Sequence, residues 1–138
     1  MTYLVSVAVV VLVDQYSKHV ALARRHGAGP FPRRLFSIRP SLHARELYRS
    51  NGGRAMLLLL WLATLIWVAL LHATGMYFRS EASHIGLGLA FGGAAGNLLD
   101  ITRRSGIVDF LDFGGLASCN VADAAIVAGL SIAFAFCF

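Results

Sequence analysis

Apolar runs about as long as a bilayer is thick dominate this chain. A spanning helix needs about 20 mostly apolar residues. The stretches 55–76, 82–100 and 120–138 approach or meet that length with few charges. The first stretch, 1–23, qualifies when its last turns reach the interface, because Lys18 and His19 can then extend into the headgroups. Only 14% of the 138 residues are charged while 57% are hydrophobic, against about 25% charged in an ordinary soluble domain. A soluble core of this length cannot hide that much apolar surface. The chain reads as one all-α membrane domain, 1–138: a bundle of four transmembrane helices, with a small extended surface segment at 24–54 and a loop at 101–118.

Three further features narrow the reading. The apolar run 3–13 is followed by Asp14, Gln15, Lys18 and His19 with no small-residue cleavage site, so the first helix is expected to remain in the protein. Cys119 and Cys137 are 18 residues apart, about 27 Å on one helix at about 1.5 Å per residue, too far to pair. Nine of the twelve basic residues fall between Lys18 and Arg54. With no interleaved aromatic pattern or binding module, that charge points to lipid headgroups and not to nucleic acid. Pro30, Pro32 and Pro40 exclude a continuous helix in the same stretch. Four spans put both termini on one side of the membrane, and the 24–54 segment and the 101–118 loop together on the other. The rule that positive charge stays cytoplasmic argues against cytoplasmic termini.

Five polar motifs stand out against the apolar background. Asp14 and Lys18, four apart on one helix face, form a possible ion pair that can clamp the structure. Asn51-Gly52-Gly53-Arg54-Ala55 precedes the second span, where Asn51 either caps the helix or contacts substrate backbone. Gly88, Gly92 and Gly96 recur every four residues and make a smooth ridge for a neighbouring helix. Beyond them Asn97 and Asp100 share a face at the helix end. Asp109 lies in Val108-Asp109-Phe110, part of a stretch that reads as extended and half-buried. Asn120 and Asp123 have the spacing of a capping box, which alone accounts for them.

Taken as a set, the motifs suggest chemistry. If the short loop folds Asp109 against Asp123, the two carboxyls share one proton, because like charges a few ångströms apart cannot both ionise. The ionised member can take a proton from water while the protonated member donates to a scissile carbonyl. Such a dyad needs no metal or cofactor. Neither Cys119 nor Ser118 has a histidine base in its own segment, which leaves water as the nucleophile.

These motifs resemble, in order, those of the lipoprotein signal peptidase family, also called signal peptidase II, a family of aspartic membrane proteases. The motifs are Asp14-Gln15-x-Ser17-Lys18, Asn51-x-Gly53-x-Ala55, Gly92-Gly93-Ala94-x-Gly96-Asn97-x-x-Asp100, Val108-Asp109-Phe110 and Asn120-x-Ala122-Asp123. The resemblance implies that Asp109 and Asp123 are the catalytic dyad. It makes Asn51, Gly53, Asn97, Asp100 and Asn120 substrate-binding or supporting residues, and Asp14 and Lys18 a structural pair. It further implies a β-cradle-like surface segment after the first helix and cleavage of diacylglyceryl-modified prolipoproteins before their lipidated cysteine. The implied place is the outer, periplasmic face of the bacterial inner membrane, among membrane lipid, with globomycin-type compounds as inhibitors.

The chain departs from the family pattern at three places. Ile101 stands where the family carries an arginine, so Arg103 or Arg104 has to reach back. Cys119 replaces the usual aromatic, and the arginine-rich first loop runs against the charge rule. Two other readings remain open at this stage: a catalytically impaired relative that binds without cutting, and an unrelated four-helix protein conducting ions or protons.

Overall fold

A computed structural model describes residues 1–25, 51–104, 106–112 and 118–137. Residues 26–50, on which most of the expected surface cradle falls, lie outside the described residues, as does the side chain of Asn51. The described chain is mostly helical: α1 (Thr2–Arg25), α2 (Asn51–Ala73), α3 (Glu81–Arg104) and α4 (Val121–Ala135), with strands β1 (Leu111–Asp112) and β2 (Ser118–Cys119) just before α4. The stretches Thr2–Ala23 and Glu81–Arg104 are long and apolar enough to cross a membrane, while Leu58–Ala73 and Val121–Ala135 are shorter apolar helices.

The centre of the fold is α3, because glycine lets two neighbours approach its backbone. Gly88 and Gly92 face Tyr3, Ser6, Val7 and Val10 of α1, and Gly96 faces Asp14, so α1 and α3 run side by side in the same direction. A Cβ on Gly88 would stand 2.6 Å from Ser6 Cβ, closer than atoms can sit. The ridge read from the sequence is therefore the α1 contact. A second smooth face, Gly86 and Gly93, meets Ala133, Gly129, Ala122 and Ile126 of α4, which runs the opposite way. Gly129 answers from α4, where a Cβ would come within 2.5 Å of Ala90 N and Gly86 O.

Helix α2 packs by side chains instead. Trp61, Leu65, Val68 and Leu71, at helical spacing, lie against a core of Phe78, Leu87, Phe91, Ala133 and Cys137. The Phe91 ring takes the edges of Tyr3 and Trp61 at 6.4 and 6.2 Å between centroids. The outer face of α2 exposes Leu59, Leu60, Ile66, Trp67 and Leu70, a surface suited to lipid tails and costly in water. The turn after α2 passes through Gly75 and Phe78, both in the left-handed region at φ 69° and 55°. It is pinned to the C-terminal segment by Phe78 N–H to Cys137 O, 2.6 Å, and Ser80 Oγ to Phe136 O, 2.9 Å. Cys137 thus sits at the end of the helices opposite Cys119, and both are free thiols. A cavity of about 340 Å³ opens at that far end, lined by residues that include Tyr3, Leu65, His72, His84 and Phe91.

Helix α3 runs one turn past Asp100, the end its apolar pattern suggests, and stops at Arg104. Arg103 and Arg104 suit the negative end of the helix dipole, and Thr102 Oγ1 donates to Leu99 O at 3.0 Å.

The glycine contacts give a direct test. Gly129→Val should lower stability in detergent unfolding by about 1–3 kcal/mol through overpacking. Gly106→Ala, where an added methyl meets nothing within 4 Å, should stay within about 0.5 kcal/mol.

Candidate active site

The second half of α1, the last turns of α3, the segment 106–110 and the start of α4 converge at one end of the helices. Asp14 and Lys18 of α1 and Asp100 of α3 are fully buried. Lys18 Nζ lies 2.8 Å from Asp14 Oδ2, 2.8 Å from Asp100 Oδ2 and 3.0 Å from Asn97 Oδ1. Arg104, one turn beyond Asp100, closes an ion pair on Asp100 Oδ1. Two acids are thus met by two bases, which buried charge requires. Gln15 Nε2 bridges Asp14 Oδ2, Asp100 Oδ1 and Gly96 O, each at 3.2 Å.

The same acids grip backbone next to each candidate catalytic residue. Asp14 Oδ1 accepts the N–H of Ala122 at 3.0 Å, one residue before Asp123. Asp100 Oδ2 accepts the N–H of Val108 at 3.3 Å, one residue before Asp109. Burial and pairing of the cluster are therefore transmitted to two segments far apart in sequence. The antiparallel bridge of β1 and β2, with Leu111 opposite Cys119, and the bond from Phe110 N–H to Cys119 O, 3.2 Å, fold the loop back onto the start of α4.

Two amides then join the carboxylates. The cation of Lys18 draws Asn97 Oδ1 towards it and leaves Asn97 Nδ2 to donate to Asp123 Oδ1 at 2.8 Å. Asn120 Nδ2 donates to Asp109 Oδ1 at 2.8 Å and to Asn97 Oδ1 at 3.2 Å. Asn120 and Asp123 also make the capping box of α4: Asn120 Oδ1 accepts the Asp123 N–H at 3.0 Å, and Asp123 Oδ2 accepts the Asn120 N–H at 3.1 Å. Capping and the link to Asp109 coexist, since the acceptor of Asn120 does one and its donor the other. Among the described residues the buried side-chain nitrogen or oxygen lacking a partner is Trp61 Nε1, outside this network.

Burial pushes the Asp109 carboxyl above the ordinary carboxylate range; the hydrogen bond from Asn120 opposes this, the charges of Asp123 and Asp100 add to it, and Lys18 offsets part. Burial also raises the Cys119 thiol, helped by the charges of Asp123 and Asp109. A thiol held protonated is no nucleophile.

The structure brings Asp14, Lys18, Asn97, Asp100, Asp109, Asn120 and Asp123 into one network. Gly53 is buried in the first turn of α2. Sequence reasoning assigned no role to Gln15, whose position directly after Asp14 puts it on a different part of the helix surface. Nor did it single out the backbone N–H groups of Val108 and Ala122, which carry no signal in residue type. The arginine that replaces the missing one after Asp100 is Arg104, while Ile101 is buried as an apolar residue.

Fold and site together describe a helical membrane protein in which Asp109 and Asp123 are both bonded to Asn120 where its helices converge. The profile of the signal peptidase II family matches residues 6–138. The lipoprotein signal peptidase of Caldanaerobacter subterraneus is 31% identical over 137 residues, covering 94% of this chain and 90% of that protein. The lipoprotein signal peptidase of Nitratidesulfovibrio vulgaris is 34% identical over 92% of this chain and 83% of its own length. A solved bacterial membrane enzyme, 21% identical, shares the fold with a TM-score of 0.72 over 97% of this chain and 90% of that one. The chain belongs to the signal peptidase II family, the aspartic proteases that cleave signal peptides from prolipoproteins.

Removing the central cation should be severe. Lys18→Met leaves Asp14 and Asp100 buried with one cation between them, and detergent unfolding should register a loss of about 3–5 kcal/mol.

Proposed function

We propose that this protein cleaves diacylglyceryl-modified prolipoproteins on the N-terminal side of the lipidated cysteine, with Asp109 and Asp123 as the catalytic pair. The observation that carries the reading is the amide of Asn120. It donates to Asp109 Oδ1, while the Asn120 backbone N–H donates to Asp123 Oδ2 and the Asn120 side-chain oxygen accepts the Asp123 N–H, so one residue holds both acids. The proton rests on Asp109. Asp123 accepts two N–H donors, one on each oxygen, which suits a carboxylate with no proton of its own. Among the described residues Asp109 accepts one amide, and it is disfavoured as an anion by burial and by the charge of Asp123.

The reaction follows from those states. Asp123 takes a proton from water, and the water oxygen attacks the scissile carbonyl. Asp109 gives its proton to the carbonyl oxygen. When the tetrahedral intermediate collapses, the proton on Asp123 passes to the leaving amide nitrogen, the C–N bond breaks, and the hydroxyl made from the carbonyl oxygen returns its proton to Asp109 as the new carboxyl forms.

The four apolar helices form a four-span bundle in the bacterial inner membrane. The end with the acids lies at the periplasmic face, and the end with the 74–80 turn and the C-terminal segment lies in the cytoplasm. The alternating directions of α2, α3 and α4 support the spanning bundle, since Trp61 meets Phe91 while His72 meets His84, and Gly86 meets Ala133 while Gly93 meets Ala122. The substrate is anchored in the same lipid, so it reaches the acids by diffusion in two dimensions, and the protein has only to orient it. The surface segment expected at 24–54, most of which lies outside the described residues, would serve that task, with Asn51 and Gly53 in the first turn of α2 as substrate contacts. Globomycin-type inhibitors occupy the same place.

Asp109→Asn and Asp123→Asn should each reduce cleavage of a lipidated prolipoprotein by at least about 100-fold; turnover near wild type in either variant refutes the pair. The pH profile of kcat/KM should be bell-shaped, because one acid has to be ionised and the other protonated. Since Asp109 is raised, activity should persist above the ordinary carboxylate range and fall as pH rises through the raised value.

A further inference from the structure

We infer that Arg104 is a positioning residue for Asp109, acting through Asp100 from the turn that α3 adds beyond its apolar pattern. This rests on the catalytic reading of Asp109 above. Asp100 is fully buried and serves four partners. Lys18 and the Val108 N–H share Oδ2, while Arg104 and Gln15 share Oδ1. The Val108 bond is the tether on the segment that carries Asp109. A carboxylate can hold that N–H in a fixed direction only if its own rotation is stopped; Lys18 is divided between Asp14, Asp100 and Asn97, and the Gln15 amide between Asp14, Gly96 and Asp100, so neither stops it alone. Arg104 on the opposite oxygen completes the grip.

The neighbouring positions exclude other providers. Ile101 is 5% exposed and belongs to the apolar packing. Arg103 is exposed. Arg104 is the basic residue four places on from Asp100, on the same helix face, and its side chain is 31% exposed. It can therefore be changed at the rim without opening a cavity in the core.

Charge balance gives the second consequence. With Arg104 the four ionised groups Asp14, Lys18, Asp100 and Arg104 sum to zero. Without it the cluster carries one net negative charge beside the segment of Asp109, which already faces the charges of Asp123, Lys18 and Asp100 and the Cys119 thiol. A nearby negative charge favours the protonated acid, so loss of Arg104 moves the alkaline limb of the pH profile to higher pH.

The test uses full-length protein in proteoliposomes and a lipidated prolipoprotein substrate. Arg104→Met, which keeps much of the aliphatic stem, should lower kcat about 10- to 100-fold. KM should stay within about twofold, and the alkaline limb should move up. Arg104→Lys retains the charge and loses the planar fork; it should give an intermediate kcat with the alkaline limb at the wild-type position. It also carries the test if Arg104→Met does not fold. Arg103→Ala should match wild type. A raised KM at unchanged kcat, a kcat loss with no shift of the alkaline limb in Arg104→Met, or wild-type behaviour of both Arg104 variants overturns the inference. Asp109→Asn separates the two readings: if it remains active, the catalytic assignment fails, whereas if it is dead and the Arg104 variants are normal, only the role of Arg104 fails.

Discussion

A lysine ammonium shut away from water between two aspartates is the constraint on which the rest depends. Lys18 cannot be buried alone, nor can Asp14 or Asp100, so each helix that supplies one of them is bound to the others. Each acid also accepts a backbone N–H, Asp14 through its other oxygen at the start of α4 and Asp100 through the oxygen it shares with Lys18, beside Asp109. Desolvated ion pairs are a poor source of net stability. Here they supply geometry, fixing where two otherwise independent segments sit.

That geometry requires the helices to come unusually close. Gly96 is directly against the Asp14 carboxylate, where a Cβ would be 2.6 Å from Oδ2. The glycine ridge and the ion cluster are one design: the smooth faces of α3 let α1 and α4 approach until short side chains such as Asp14 and Asn97 can span the gap. In a membrane, where lipid tails are as apolar as the helices and give them no hydrophobic reason to associate, such close backbone packing and buried polar bonds are the available forces.

Much of this was legible in the residues. The apolar runs indicated helices, the i, i+4 spacing of Asp14 and Lys18 indicated their ion pair, and the spacing of Asn120 and Asp123 indicated the capping box. The Gly88-Gly92-Gly96 period indicated one packing face. The second face carries no such signal, because Gly86 and Gly93 do not repeat every four residues and their partners, Gly129 and Ala133 for the first and Ala122 for the second, lie on another helix. Helix α3 was read as ending at Asp100 because polarity begins there, yet a helix need not stop where its apolar pattern does. The arginines beyond it favour one more turn through the dipole. The tethers to Val108 and Ala122 are bonds to main chain and leave no mark in residue type.

The position of Cys119 has a bearing on redox chemistry. This half-buried thiol sits beside two carboxylates, and burial and their charge hold it in the protonated form. Disulfide exchange and peroxide oxidation both proceed through the thiolate. The protein thus keeps a cysteine next to its acid pair while denying that sulfur the state in which an oxidant or a foreign disulfide could capture it.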